Sequence, residues 1–329
     1  MRISIVCPVH DTPPPLLAAA ARSVLHDPSG AIRQFILVDD GSRREDTKRT
    51  LVEIAATDPR VTLIRAPRAT GAVGPASARN LALAAAREDW VGFLDSDDTW
   101  LPGHPARLRG LLAAHPEAVW IGTRHRLVSA DGASESARGL DDAGGHRLAD
   151  NLLRFEAPAL TRVLLSDFRL HLGASLVRRD LAKAAGGFGE GLFYYEDFLF
   201  LTKLSTLAPL HYLEADGYGW RRGGDGLTSD ARRLDPSTLA MHARAARDPM
   251  LRHFRREIRW ARYSATKELA MNNLLAGRRR PALALAIRGW LQDPRELAEL
   301  LLFLRLWRRG VETDAAARYS GAERFVVRC

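Results

Sequence analysis

Residues 90–98 read Trp-Val-Gly-Phe-Leu-Asp-Ser-Asp-Asp, a short apolar run that ends in three carboxylates within four positions. The apolar part has the character of a strand, and in an extended chain the side chains of Asp95 and Asp97 point to the same side. Carboxylates this close raise one another's pKa unless a cation lies between them. A hard divalent ion suits oxygen ligands and usually brings a substrate phosphate with it. The stretch therefore predicts a site for a metal-bound diphosphate, and a solvated acidic turn is the alternative.

Outward from this stretch, the first 130 residues alternate short strands with helical patterns. Helices are predicted at residues 45–56 and 76–87, and an earlier helix is predicted to start at Pro13 with Thr12 as its N-cap. Strands are predicted at Ile3–Cys7, Gln34–Val38, Val61–Ile64 and Trp90–Leu94. Short strands separated by helices are typical of βαβ units, so this half is predicted to be an α/β domain with a mostly parallel sheet.

Three polar loops follow the predicted strands, at residues 8–11, 39–42 and 95–98. In a parallel α/β sheet, ligands bind outside the carboxyl ends of the strands. We therefore expect these loops to meet at one rim of the sheet and to form one binding site. Their convergence is stronger support for a site than any single motif.

The rest of the chain is mixed and then helical. Strands are predicted at residues 119–128 and 170–177, a loop and a helix within 141–154, and a helix at 194–205. Beyond residue 235 the pattern is mostly helical, with helices at 251–275 and 294–309. We expect one domain over residues 1–230, in two halves of 1–130 and 131–230, and a helical C-terminal extension over 231–329.

The formal net charge of the 329-residue chain is +9, and the last third is rich in arginine. A basic balance admits nucleic acid, anionic lipid or phosphate-bearing substrates. The sequence has no basic–aromatic RNA-binding motif, zinc-finger spacing or helix-turn-helix signal, so we expect no nucleic acid partner. Cys7 and Cys329 offer no disulfide framework, and no segment is predicted to be a signal peptide or a membrane-spanning helix. A cytoplasmic protein, soluble or peripherally attached to the membrane, is therefore predicted.

Five blocks of the sequence resemble, in the same order, the family 2 glycosyltransferases. The blocks are Ile3–Asp11, Phe35–Ser42, Gly74–Asn80, Phe93–Asp98 and Gly186–Asp197. The resemblance covers about residues 1–225. It implies a GT-A fold, which is a Rossmann-like, mostly parallel sheet flanked by helices, and an inverting transfer from a nucleotide sugar with Mg²⁺ or Mn²⁺ as cofactor.

The resemblance also implies donor-binding roles for single residues. Asp97 is expected to ligate the metal on the diphosphate, and Asp95 to face the ribose. Asp40 is expected to read the nucleobase edge while Asp39 serves the turn. Since an aspartate can accept the uracil N3–H, the predicted donor is a UDP-sugar. The other predicted donor-binding residues are Pro8, Val9 and His10 at the base, Gly74 and Arg79 at the diphosphate, and Ser96 in the acidic loop.

Glu196 and Asp197 resemble the acidic pair whose aspartate is the catalytic base in this family. An inverting transfer needs one carboxylate to accept the proton of the acceptor hydroxyl. Without the resemblance, both residues would be interpreted as the acidic first turn of a helix. For Asp98, the start of the helix that follows is the favoured interpretation, and a supporting role beside the metal ligands is the alternative.

Two features depart from the family pattern. Residues 218–226 contain no histidine, whereas many relatives carry one there that reaches the metal or the diphosphate. Arg222 and Asp225 are the candidate substitutes. The usual G-F-D-E reads G-F-G-E at residues 187–190, which we expect to loosen the loop on the acceptor side.

The predicted function is a metal-dependent inverting glycosyltransferase that moves one sugar from a nucleoside diphosphate sugar to a glycan or lipid-linked acceptor, in surface polysaccharide or other glycan synthesis. The alternatives are a nucleotidyltransferase and a catalytically silent nucleotide-sugar-binding protein. Residues 8–15 lack the Gly-rich basic loop of the first alternative, and both acidic pairs argue against the second. For the basic C-terminal helices, packing on the catalytic domain with a solvated basic face is the favoured interpretation, and peripheral membrane contact is the alternative.

Overall fold

The computed structural model describes residues 1–66, 74–129, 131–167, 169–192, 194–222, 231–292 and 297–309. Asp225 and Cys329 lie outside these ranges. The chain forms two compact units, Met1–Leu164 with Phe168–Gly226, and Leu165–Asp167 with Leu227–Cys329. The expected domain boundary at residue 230 stays a prediction.

The first unit is built on one large sheet. Its described strands are β1 Ile3–Val9, β2 Ile32–Asp39, β3 Val61–Arg65, β4 Trp90–Phe93, β5 Thr99–Trp100, β6 Trp120–Val128, β7 Ser134–Ser136, β8 His146–Ala149, β9 Leu152–Phe155, β10 Ser175–Arg178 and β11 Leu210–Arg221. Their order across the sheet is β3-β2-β1-β4-β10-β6-β11-β9-β8. The short strands β5 and β7 pair with β11 and β6.

The N-terminal half of the sheet is parallel. Strand β1 lies between β2 and β4, and β3 lies outside β2, all in the same direction. Beyond β4, strand β10 runs antiparallel between β4 and β6, while β6 and β11 are parallel to each other. The predicted α/β class with a Rossmann-like parallel half is therefore confirmed, and antiparallel strands extend it.

Helices flank the parallel strands and connect them. Before residue 226 they are α1 Pro14–Leu25, α2 Glu45–Thr57, α3 Pro75–Ala85, α4 His104–Ala114, α5 Ala159–Ser166, α6 Arg179–Ala184 and α7 Glu196–Ser205. Helices α1, α2 and α3 agree closely with the helices predicted from the sequence. The crossovers between parallel strands place the loops that follow β1, β2 and β4 at one edge of the sheet.

Both faces of the central strands are buried in apolar clusters. Along β1, Ile5 and Cys7 pack into one cluster while Val6 packs into the other. On β4, which pairs with β1, Trp90 and Phe93 are likewise divided between the two clusters. The division follows from the alternation of side chains along a strand. Because these strands are buried on both faces, the loops at their ends start from a rigid base.

The structure corrects three expectations about local structure. Thr12 makes no N-cap hydrogen bond, and α1 begins at Pro14 behind Pro13. Residues 141–154 contain no helix, because β8 and β9 form a hairpin whose second strand pairs with β11. The strand expected at 170–177 is shortened to β10, since Leu172–Ala174 is a 3₁₀ turn. For residues 141–154, pairing of β9 with the distant strand β11 outweighs the local preference.

The second unit is helical. Its described helices are α8 Ala231–Ala245, a 3₁₀ helix at Pro249–Phe254, α9 Arg255–Leu275, α10 Arg279–Gln292 and α11 Leu297–Arg309. The helix predicted at 251–275 is thus divided into a 3₁₀ helix and α9. Helices α9, α10 and α11 share one apolar cluster. Among the described residues, no helix combines the length and the apolar character that crossing a bilayer requires.

Candidate active site

Hydrogen bonds join the loops at the carboxyl ends of β1, β2 and β4. Asp40, after β2, donates its backbone N–H to the carbonyl oxygen of Val9 at 2.8 Å. The hydroxyl oxygens of Thr12, beyond β1, and Ser96, beyond β4, lie 2.6 Å apart. The three polar loops therefore form one rim, as the sequence predicts.

The loop after β1 is held in an uncommon conformation at Asp11. The φ of this residue is 50°, in the left-handed region that few non-glycine residues adopt. Its Oδ1 accepts the backbone N–H groups of Arg43 at 2.6 Å and Arg44 at 2.8 Å, and its own N–H donates to Ser42 Oγ at 3.1 Å. Partial burial disfavours the charge, but these donors hold the pKa of Asp11 below its ordinary value. Asp11 thus fastens the first loop to the start of α2.

The predicted base-pocket residues differ in what they expose. The side chain of Val9 is only 1% exposed and packs in the apolar core, so the rim contains its backbone alone. The side chain of His10 is half exposed, and its Nδ1 lies 2.9 Å from the carbonyl oxygen of Asp40, to which it can donate. Pro8 is partly buried beside them. Contact of Pro8 and His10 with a nucleobase stays a prediction.

The two aspartates after β2 have different surroundings. Asp39 Oδ1 accepts the backbone N–H of Ser42 at 2.8 Å and so stabilises the turn. Asp40 is buried, and burial raises the pKa of its carboxyl group, although His10 and the N–H of Gly74 oppose the shift. Gly74 has φ 152° and ψ 163°, a combination essentially confined to glycine. The Asp40 carboxyl group and the start of α3 therefore meet at the rim.

Asp98 does not initiate a helix. It is 2% exposed, and its carboxylate accepts hydrogen bonds from the Tyr218 hydroxyl at 2.7 Å and from the Arg221 N–H at 2.6 Å. The Arg221 side chain donates to the carbonyl oxygen of Asp97 at 3.0 Å. Helix α4 begins only at His104. The expectation for Asp98 was wrong because β11, which is distant in sequence, provides both donors.

The three carboxylates of the acidic loop have unequal pKa values. Burial disfavours the charge of Asp95, but Arg79 and His171 outweigh it and hold the pKa of Asp95 below its ordinary value. Burial and the charge of Asp95 raise the pKa of Asp97. Burial and both neighbouring carboxylates raise the pKa of Asp98 further. A cation beside the loop would relieve this repulsion.

An imidazole from outside the predicted motifs completes this cluster. Asp95, Asp98 and His171 each offer a ligand atom, and these atoms all lie within 4.8 Å of one another. Burial lowers the pKa of His171 to about 4, so the ring is neutral at pH 7. Its Nδ1 accepts the N–H of Gly173 at 3.1 Å, which leaves the ring proton on Nε2. A cation could bind Nε2 only by displacing its proton. It could bind Nδ1 only by displacing the N–H of Gly173.

His171 was not identified from the sequence, because the histidine of the family pattern was expected within residues 218–226. It precedes β10, and β10 pairs with β4, which carries the acidic loop. No spacing or motif near residue 171 signals this pairing. Of the two candidate substitutes, Asp225 lies outside the described residues, and the guanidinium of Arg222 lies over the Trp220 ring at 4.9 Å.

Arg79 joins the two acidic segments. Its Nη2 donates to Asp95 Oδ1 at 2.7 Å, and its Nη1 donates to Glu196 Oε1. The arginine is 6% exposed, and its guanidinium lies 5.7 Å from the centroid of the Phe188 ring. Burial disfavours its charge, but Asp95, Glu196 and Asp197 raise the pKa of Arg79. Both terminal nitrogens of Arg79 therefore donate to carboxylates. Contact of Arg79 with a diphosphate stays a prediction.

The acidic pair Glu196 and Asp197 opens helix α7. Tyr195, the residue before them, has φ 64°, and such strained non-glycine residues are concentrated at functional sites. Burial raises the pKa of Glu196 to about 8 and also raises the pKa of Asp197, although Arg79 opposes both shifts. Asp197 Oδ1 accepts the N–H of Phe198 at 2.8 Å. A carboxylate with a raised pKa is well matched to proton acceptance near neutral pH.

Asn80 clamps the loop on the acceptor side, a role that the sequence did not reveal. Its Oδ1 accepts the Phe188 N–H at 2.8 Å, and its Nδ2 donates to the Phe188 carbonyl oxygen at 3.0 Å. Gly187 has φ 66°, and a Cβ there would lie 2.5 Å from Asn80 Oδ1. Lys203 donates to the Gly187 carbonyl oxygen at 3.1 Å. These bonds hold residues 187–188 in place although Gly189 replaces the usual aspartate.

Comparison with known proteins places these features in a family. Residues 4–166 match the family model described as "Glycosyl transferase family 2". The O-antigen biosynthesis protein RfbC of Myxococcus xanthus is 30% identical over 239 residues, which cover 72% of this chain and 17% of that protein. The succinoglycan biosynthesis protein ExoW of Rhizobium meliloti (strain 1021) is 27% identical over 235 residues, which cover 68% of this chain and 69% of that protein. The chain thus spans less than a fifth of the length of RfbC.

Solved structures of S. aureus TarS have the same fold. The complex of TarS 1–349 with UDP-GlcNAc has a TM-score of 0.65 and 15% identity, and the match covers 98% of this chain and 92% of that chain. The complex with UDP has a TM-score of 0.62 and 14% identity. At this identity the likeness concerns the fold alone. It confirms the predicted GT-A type of sheet with a helical C-terminal part.

Proposed function

This chain belongs to glycosyl transferase family 2, and we propose that it transfers one sugar from a nucleoside diphosphate sugar to an acceptor hydroxyl with inversion at the anomeric carbon. The Arg79 bridge is the observation that carries this proposal. One buried guanidinium binds Asp95 of the acidic loop and Glu196, the neighbour of Asp197. The bridge supports a donor site and a proton acceptor within one site, which a single displacement requires.

The proposed donor is a UDP-sugar. The Asp40 carboxyl group at the rim can accept the uracil N3–H, with Pro8 and His10 beside the base. Asp95 and Ser96 would face the ribose, and Gly74 would allow the diphosphate to approach the start of α3 closely. The TarS complexes contain UDP-GlcNAc or UDP, which is consistent with this choice of nucleotide.

The acidic loop is the proposed site of Mg²⁺ or Mn²⁺. Oxygen ligands from Asp95 and Asp98 are close enough to share one ion, and Asp97 lies partly exposed between them in the chain. This carboxylate set fits a hard cation. We propose Asp97 as the ligand that also serves the donor diphosphate. When bound, the ion would neutralise the charge that develops on the leaving nucleoside diphosphate.

Asp197 is the proposed catalytic base. The oxygen of the acceptor hydroxyl attacks the anomeric carbon while the bond from that carbon to the diphosphate oxygen breaks, and the hydroxyl proton passes to Asp197. The charge of Arg79 would limit the rise in the pKa of Asp197. One base suffices for inversion, so Glu196 can remain bound to Arg79 throughout.

The acceptor and the location are also proposals. A glycan or a lipid-linked saccharide in surface polysaccharide synthesis is the acceptor class that the names of RfbC and ExoW suggest. We place the protein in the cytoplasm, at the inner face of the membrane, since its net positive charge would favour an anionic surface.

The proposal is tested with purified full-length chain and a panel of UDP-sugars. We expect release of UDP that requires Mn²⁺ or Mg²⁺ and increases with a suitable acceptor. Asp97→Ala should lose transfer and the metal-dependent part of UDP binding in calorimetry, whereas Asp131→Ala, a change in an exposed turn, should lose neither. Equal UDP affinity of the unaltered protein with and without metal would remove Asp97 from its role.

The same assay separates the two alternatives. Pyrophosphate production from UTP and a sugar phosphate, without release of UDP from any UDP-sugar, would support a nucleotidyltransferase. Binding of a UDP-sugar without even slow hydrolysis would support a silent binding protein. Either result would overturn the proposed transfer.

A further inference from the structure

The net positive charge of the chain is confined to one segment. Residues 249–309 contain fourteen Arg and Lys and five Asp and Glu, a net charge of +9. The whole chain has the same formal net charge of +9, so the remaining residues balance to zero. The segment comprises the 3₁₀ helix at Pro249–Phe254 and helices α9, α10 and α11. A negatively charged partner would therefore be attracted to this part of the molecule.

The same segment exposes most of the large apolar side chains that face solvent. Among the described residues, eight large hydrophobic side chains are exposed, and six of them lie on α9, α10 and α11. These six are Trp260, Leu275, Ile287, Leu291, Leu301 and Leu302, while Val52 and Leu207 lie elsewhere. Exposed apolar side chains grouped in one region mark an interaction surface more often than scattered ones do.

On α10, basic and apolar side chains share one exposed face. Ala284, Ile287 and Leu291 follow one another at helical spacings of three and four, and Arg280 and Arg288 flank them on the same side. Ile287 is 43% exposed and Leu291 is 66% exposed. The opposite face of α10 is buried in the apolar cluster that it shares with α9 and α11. The exposed stripe is therefore available for a partner.

Trp260 lies at the same end of the α9–α10 hairpin as Leu291. A Cβ on Gly289 of α10 would lie 3.5 Å from Thr266 and 3.9 Å from Tyr263 of α9, which fixes the level at which the two helices meet. Trp260 precedes Tyr263 by about one turn, and Leu291 follows Gly289, so both lie near the same end. The tryptophan is 50% exposed. Tryptophan is enriched at the boundary between lipid and water.

We propose that the exposed face of α9, α10 and α11 binds the surface of an anionic lipid bilayer. The arginines would attract the acidic headgroups, and Trp260, Ile287 and Leu291 would enter the boundary between headgroups and acyl chains. Nucleic acid would satisfy the charge but would leave the aliphatic side chains without a role. The contact is peripheral, because no described helix is suited to spanning the bilayer.

The test is sedimentation of the full chain with vesicles of phosphatidylcholine alone or mixed with phosphatidylglycerol. We expect binding only to the mixed vesicles, and its loss at high salt. The variants Ile287→Ser/Leu291→Ser and Arg280→Gln/Arg288→Gln should each weaken this binding about tenfold or more. The matched controls Val52→Ser/Leu207→Ser and Arg33→Gln/Arg49→Gln change exposed residues elsewhere and should bind as the unaltered chain does.

Several outcomes would overturn the inference. These are equal binding to both vesicle types, equal weakening by the control variants, or tighter binding to single-stranded RNA that the serine variant leaves unchanged. Thermal unfolding of each variant separates lost binding from lost folding. UDP release measured without vesicles should be the same for all these variants. Membrane binding can therefore fail while the proposed transfer stands, and the transfer can fail while membrane binding stands.

Discussion

The two acidic segments of the site, Asp95–Asp98 and Glu196–Asp197, look alike in sequence but are built differently. The first ends a buried parallel strand, and Asp98 is fixed from β11 by Tyr218 and Arg221. The second opens a helix directly after a residue in the left-handed conformation. One kind of side chain can therefore serve two tasks, since the backbone beneath it decides which partners it meets.

The two segments also differ in electrostatics, although Arg79 contacts both. It holds the pKa of Asp95 below its ordinary value, whereas Glu196 and Asp197 keep raised pKa values because burial outweighs the same guanidinium. An ionised Asp95 suits binding, and a carboxylate with a raised pKa suits proton transfer. Contact with the same arginine therefore leaves Asp95–Asp98 suited to binding and Glu196–Asp197 suited to proton transfer.

The largest expected effect is on turnover. Asp197→Asn should lower kcat by about 10²–10⁴-fold, since it removes the proton acceptor. The affinity for a UDP-sugar should stay unchanged in calorimetry, because the donor-binding segment is intact. Retained turnover would show that another group accepts the proton and would end the functional distinction between the two segments.

Breaking the bridge should strongly lower the stability of the fold. Arg79→Gln leaves Asp95 and Glu196 without their shared cation, and loss of one partner of a buried ion pair costs about 3–5 kcal/mol of unfolding free energy. Urea denaturation measures this loss. Arg44→Gln, which breaks an exposed pair with Asp46, is the control and should have little effect. Equal effects of the two changes would argue that the bridge does not hold the segments together.

The loop that leads to the second segment offers a smaller test. Gly187→Ala should destabilise the protein by about 1–3 kcal/mol, because the glycine is left-handed and its added Cβ would contact Asn80. Gly191 is also left-handed at φ 84° but has nothing within 4 Å of an added Cβ, so Gly191→Ala should cost less. In an Asn80→Ala background the difference should shrink. An unchanged difference would exclude the contact with Asn80 as its cause.

A further expected effect is a pH dependence of stability from Glu196. Its folded-state pKa is raised to about 8, so its contribution to stability is full below the ordinary value of 4.5 and is lost as pH rises through about 8. The unfolding free energy of the unaltered protein relative to Glu196→Gln should therefore fall between about pH 5 and about pH 9. A difference that stays constant over this range would mean that Arg79 keeps Glu196 ionised throughout.

Much of the fold and part of the site could be predicted from sequence because the signals are local. The strands around residues 3–9 and 90–93 follow from short apolar runs, and the polar loops after them from turn chemistry. Asp98 shows the limit of such reasoning, since its neighbours suggested a helix start and its actual partners come from β11. The hairpin of β8 and β9 shows the same limit, because pairing with β11 overrides the local pattern.

The amino-acid sequence alone predicts an α/β sheet with acidic and polar loops at the ends of its strands, because alternation and turn preference act over a few neighbouring residues. It also determined that the positive charge gathers in residues 249–309. The contacts of Arg79 with Glu196, of Asn80 with Phe188 and of His171 with the acidic loop arise only in the folded chain. The first two of these contacts span 117 and 108 positions, and strand pairing, which no local pattern encodes, brings the third about.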